Sequence, residues 1–125
     1  MIHPKSPRIT GLDHVQLAMP AGGEEEADAF YHDLLGFEII PKPEPLASRG
    51  GRWYASDDVR VHLGVDAEFT PAKKAHPALV VDGIDTLAVR LEAAGVTPRW
   101  EDDQPGMRHC YVDDPFGNRI ELIAG

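Results

Sequence analysis

Apolar and polar residues alternate over residues 9–18, with Val15 and Leu17 on one side and Leu12, His14 and Gln16 on the other. That period of two predicts a strand. Gly22-Gly23 interrupts it, and Glu24-Glu25-Glu26 open a helix with the charge that suits its positive end. Ala27, Phe30, Tyr31 and Leu34 then fall at the spacing of a buried helical stripe, and Gly36 offers the left-handed residue that ends many helices. Residues 37–40 predict a short strand, and Pro41, Pro43 and Pro45 a stiff loop that cannot join the centre of a ladder. Residues 52–55 and 59–65 predict a hairpin around Asp57-Asp58.

The same order returns after a connector over residues 66–75. Residues 76–81 predict a strand with His76, Ala78 and Val80 on one face. Ile84, Leu87, Ala88 and Leu91 mark an amphipathic helix, closed by Gly95 as the first is by Gly36. Strands follow over 96–100, 108–112 and 119–123, the last two joined by Asp113-Asp114-Pro115-Phe116-Gly117-Asn118, where Pro fixes φ and Gly and Asn accept positive φ. Each half reads β-α-β-β-β, a duplicated supersecondary unit. The pattern predicts an α+β fold: one domain over 9–125, made of repeats at about 9–65 and 76–124, behind a loose leader, residues 1–8.

Composition narrows the function. The chain has 125 residues, enough for one core that buries roughly two-thirds of the unfolded surface. A formal net charge of −9 disfavours nucleic acid and anionic membrane surfaces, both of which call for clustered Lys and Arg. One cysteine, Cys110, excludes an intrachain disulfide framework. The absence of a long apolar run or a signal-peptide core leads us to expect a cytoplasmic protein.

The repeat also carries candidate chemistry. His14 and His76 open corresponding strands, and Arg60-Val61-His62-Leu63 matches Arg119-Ile120-Glu121-Leu122, with His62 and Glu121 at the same place. A carboxylate inside an apolar strand is costly to bury unless it is paired or bound to a metal. Neutral imidazole is the commonest protein ligand for metals. Two His and one carboxylate suit ferrous iron, and His/Glu sets also suit zinc, manganese, nickel or cobalt. The alternative is an ion pair of Glu121 with Arg119 or Arg60 around a metal-free pocket. His109 and Cys110, as strand neighbours, point to opposite faces and read as structural. Trp53, Tyr54, Phe69 and Trp100 read as core, and His32 as a surface residue. Lys73 and Lys74 read as loop charges that could also meet an anionic substrate.

The duplication, Leu12-Asp13-His14-Val15, Phe30-Tyr31, Leu35-Gly36-Phe37 and above all Asp114-Pro115-Phe116-Gly117-Asn118-Arg119-Ile120-Glu121 resemble the vicinal oxygen chelate superfamily. That group includes glyoxalase I, extradiol dioxygenases, methylmalonyl-CoA epimerase, fosfomycin-resistance enzymes and bleomycin-resistance binding proteins. The resemblance implies two modules whose curved sheets form half-open barrels, assembled as a homodimer. It implies a divalent metal held by His14, His76 and Glu121, with His62 as fourth ligand or as the catalytic acid–base group. At the place of His62 glyoxalase I often carries Glu and the epimerase Gln. Gln16 stands where the fosfomycin enzymes carry Thr. The expected activity is that of a lyase, isomerase or ring-cleaving dioxygenase acting on a small oxygenated molecule. The rival expectation is a metal-free binding protein of the bleomycin-resistance type. In small members the site is often shared, so His14 and His62 are expected from one chain and His76 and Glu121 from its partner.

Overall fold

The computed structural model describes residues 6–125. It contains two four-stranded sheets of the same construction. The first uses β1 (Val15–Met19), β2 (Glu38–Ile40), β3 (Arg52–Ser56) and β4 (Val59–Val65), in the order β1-β4-β3-β2. The second uses β5 (Ala78–Val81), β6 (Arg99–Glu101), β7 (His109–Asp113) and β8 (Arg119–Ala124), in the order β5-β8-β7-β6. In each sheet the opening strand lies parallel to the closing one, and the other neighbours are antiparallel. The duplication expected from the sequence is therefore present down to strand order. The leader lies partly outside the described residues, as does His3.

Helix α1 (Glu24–Ala27) continues into a π-helical segment, Asp28–Leu34, where the Leu35 N–H reaches back five residues to the Phe30 carbonyl at 3.0 Å. Ala27, Phe30 and Tyr31 are buried as the spacing predicts. The wider winding leaves Leu34 half-buried at the margin. Helix α2 (Ile84–Ala93) buries all four expected residues, Ile84, Leu87, Ala88 and Leu91. Gly36 and Gly95 close the two helices at φ +82° and +85°, where a Cβ would be strained.

Two strands start later than the alternation suggests. Pairing of β1 begins only at Val15, opposite Val61, and residues 9–14 run free with Ile9 and Leu12 exposed. In the second half Pro77 has no N–H to give, so β5 begins at Ala78. His14 and His76 thus stand just ahead of their strands. The sixth and seventh strands likewise shift toward the C-terminus by one or more residues.

One hydrophobic cluster serves both halves. Met19, Phe30, Tyr31, Tyr54 and Leu63 pack with Leu91, Cys110, Val112, Ile120 and Leu122. Because strand side chains alternate, the other face of each sheet is turned away from this shared core. The Asp114–Asn118 turn clamps the halves together. Asp114 Oδ1 accepts from the backbone N–H groups of Phe116 and Asn118, while Oδ2 accepts from the Tyr31 hydroxyl at 2.7 Å and from Asn118 Nδ2. Asn118 Nδ2 also reaches the Ala18 carbonyl of β1 at 2.8 Å. Burial, with Asp114 beside it, holds the Tyr31 hydroxyl well above its ordinary pKa, so it serves as a donor.

Candidate functional site

The sequence-predicted ligands occupy the outward faces of the two sheets, in two separate pairs. In the first half His14 and His62 stack, ring centroids 4.1 Å apart, and Trp53 stacks on the far face of His62 at 4.2 Å. The register explains the grouping. Trp53 is paired with His62 across β3 and β4, and Gln16 with His62 across β1 and β4. Trp53 is therefore not core, as expected from its type, but wall: it lines an open cavity of about 420 Å³ with His14, Gln16, Ile40 and His62. Tyr54, one residue on, does enter the core. Burial, reinforced by neighbouring His14, lowers the His62 pKa and favours its neutral ring.

In the second half His76 and Glu121 come together, Nε2 to Oε1 at 3.0 Å. The His76 ring also meets Tyr111 edge-on. Glu121 is buried, yet its partners are neither Arg119 nor Arg60. Its other oxygen, Oε2, accepts from His109 Nδ1 at 2.8 Å, and His109 Nε2 donates to Asp103 Oδ1 at 2.8 Å. His109 is 1% exposed. The hydrogen bonds to Asp103 and Glu121 raise its pKa against the opposing cost of burial. His109, expected as structural, thus belongs to the hydrogen-bonded string around Glu121. Its neighbour Cys110 does point into the core, and burial raises the thiol pKa, which suits an inert residue.

The geometry suits a cation in one respect that repeats between halves. His76 donates Nδ1–H to the Lys74 carbonyl at 2.8 Å, and His14 donates Nδ1–H to Asp13 Oδ1 at 2.8 Å. Both rings are thereby oriented through Nδ1, as is common among metal-binding histidines; Nε2 of His14 carries no hydrogen bond among the described residues, and Nε2 of His76 meets Glu121 Oε1. Glu121 is held by one oxygen and presents the other beside His76. Within one chain, however, the two pairs face apart. Among the described residues no three His, Cys, Asp or Glu side chains stand together as a metal site.

Of the remaining expectations, His32 is a half-exposed residue bound to the Phe37 carbonyl. Trp100 lies at the surface beneath the Arg108 guanidinium, 4.0 Å from its centroid, rather than in the core. Lys73 borders an open cavity of about 520 Å³ with Arg99 and Arg119.

The sequence matches the family model of the Glyoxalase/Bleomycin resistance protein/Dioxygenase superfamily over residues 11–122. The chain belongs to that superfamily. A glyoxalase family protein from Bacillus anthracis shares 45% identity at a TM-score of 0.92, over 97% of this chain and 99% of that one. The fosfomycin resistance protein FosX from Listeria monocytogenes shares the fold at 20% identity and a TM-score of 0.74, over 94% and 95% of the two chains. So does TnmS3, an antibiotic binding protein from Streptomyces sp. CB03234, at 24% identity and a TM-score of 0.69, over 93% and 98%. No curated protein matches. Members of the superfamily bind small molecules, often form dimers and typically use divalent metals. No helix among the described residues is long and apolar enough to cross a membrane.

Proposed function

We propose that the protein is a divalent-metal-dependent enzyme acting on a small oxygenated molecule, of the lyase, isomerase or ring-cleaving dioxygenase type. The observation that carries this reading is the matched tethering of His14 and His76 through Nδ1, with Nε2 of His14 unbonded among the described residues and Nε2 of His76 set 3.0 Å from Glu121 Oε1. His14, His76 and Glu121 would hold the metal. His62, neutral and between two aromatic rings, would act as fourth ligand or as the acid–base group. A divalent cation bound there supplies Lewis acidity toward vicinal oxygens and developing oxyanion charge. Iron, zinc, nickel, cobalt and manganese all suit this donor set.

The site would be completed by a second copy of the chain in a homodimer. His14 and His62 of one protomer would then face His76 and Glu121 of the other. Their separation on outward faces supports that reading. So does the exposure of Leu12, two residues before His14, and of Val80 on the open side of β5. A C2 pairing of this kind is the commonest closed assembly. The single domain over residues 9–125 would be the unit that pairs, in the cytoplasm.

A second reading is a metal-free binding protein. The cavity over the Trp53–His62–His14 stack favours it, because stacked rings with Ile40 beside them offer a surface for a flat ligand. Metal content separates the two. Protein purified without chelator or histidine tag should carry about one metal per chain, and His76→Ala and Glu121→Gln should each lose it. A parent protein with no metal, and none taken up on reconstitution, leaves the binding protein ahead.

A further inference from the structure

We infer that His109 and Asp103 form a positioning device that presents Glu121 to the metal, an inference resting on the metal-dependent reading above. His109 is set apart from the candidate ligands by its burial: its side chain is 1% exposed, against 24% for His76, with Nδ1 donating to Glu121 Oε2 and Nε2 to Asp103 Oδ1, each at 2.8 Å. What it fixes is the carboxylate. A glutamate has three side-chain torsions, and β8 fixes only where the chain begins. With Oε2 held by His109, Oε1 is left facing His76 Nε2. The string Asp103–His109–Glu121–His76 therefore runs from a loop to the candidate metal position.

The placement follows from the register. His109 is paired with Ile123 and Tyr111 with Glu121 across β7 and β8, and Glu101 of β6 is paired with His109. These residues share the outward face of the sheet, while Cys110 and Val112 between them enter the core. His109 is almost wholly buried, and the Asp103 side chain that holds its outer nitrogen is 61% exposed. Asp103 lies beyond β6 in the segment leading to β7. Arg108, at the far end of that segment, is bound to Asp85 and lies over Trp100. The segment is thus anchored on both sides of its contact with His109. Partners of this kind commonly change metal affinity by about ten- to a hundredfold when removed.

The test is a cobalt titration of the full-length, metal-stripped protein, followed by visible absorption and calorimetry. It compares the parent with Glu121→Gln, His109→Leu, Asp103→Asn and Cys110→Ala. The expected result is a dissociation constant raised about tenfold or more by His109→Leu, and less, in the same direction, by Asp103→Asn. Asp103 is at the surface, so its variant keeps the test open should His109→Leu fail to fold. Cys110→Ala removes core packing on the opposite face of the same strand, and it should lower the melting temperature with cobalt affinity unchanged. Parent-like affinity in folded His109 and Asp103 variants, with Glu121→Gln impaired, overturns the positioning role alone. A parent that binds no cobalt overturns the metal-dependent reading and this inference with it. An affinity loss in Cys110→Ala matching that of His109→Leu shows a general structural effect and also overturns it.

Discussion

The two halves share strand order and helix closure but solve the problem of an outward polar pair differently. In the first, His14 and His62 are held by ring stacking with Trp53, and Asp13 hydrogen-bonds His14 while Arg60 lines the same cavity. In the second, His76 and Glu121 belong to a string of imidazoles and carboxylates in which the buried carboxylate has partners on both oxygens. The difference follows from the residue types. A neutral imidazole can sit half-buried among rings, whereas a carboxylate needs hydrogen bonds to its charged form. A duplicated framework can therefore place polar residues at equal positions, but each has to be supported by its own surroundings.

The turns that precede the closing strands differ further. Asp57-Asp58 in the first half is an exposed hairpin turn, whereas Asp114 in the second is buried and accepts four hydrogen bonds, one from Tyr31 of the first half. Asp114→Ala removes a charged acceptor and strands several donors, so it should cost about 3 kcal/mol or more. Asp58→Ala should stay within about 0.5 kcal/mol. Urea denaturation of the two variants measures both. Equal effects would mean that the Asp114 turn is no more than a local connection.

A smaller effect separates the halves by pH. The His62 pKa is lowered by burial, so the unfolded chain takes up its proton first and stability falls as pH drops below about 6.5. The His109 pKa is raised, above all by its hydrogen bond to Asp103. Its contribution is complete below about 6.5 and is lost as pH rises through the folded value. In the metal-free protein His62→Gln should flatten the acid limb of the stability profile, and His109→Gln the alkaline limb. Denaturation midpoints measured from about pH 5 to about pH 8 would show this. Variants that both keep the parent profile would contradict these assignments.

Much of this was legible in the residues. The apolar spacing located both helices, and the match of Arg60-Val61-His62 with Arg119-Ile120-Glu121 exposed the repeat and the corresponding candidate residues. What alternation could not supply was pairing. Residues 9–14 alternate like a strand but lie outside the ladder, which begins at Val15 opposite Val61 although β4 starts at Val59. Trp53 looks like core by type, yet its register with His62 sets it on the open face. His109 was within reach. Once Cys110 is assigned to the core, alternation puts His109 on the face of Glu121. Asp103 lies in a segment with no period, so only the folded chain reveals its contact. The shared core, which turns both polar pairs outward, is likewise a tertiary fact that no local pattern contains.

In the proposed homodimer each chain carries two half-sites completed by a second copy. Subunit mixing separates that arrangement from a site within one chain. His14→Ala and Glu121→Gln chains, carrying different tags free of histidine, would be co-expressed and the mixed dimer isolated through both tags. One of its two composite sites would then hold both substitutions and the other none, so the account predicts about one metal per mixed dimer. Each parental variant alone should carry essentially none. A mixed dimer as empty as the two variants, from a parent that binds metal, would contradict the account, because it would mean that His14 and Glu121 of the same chain serve one site.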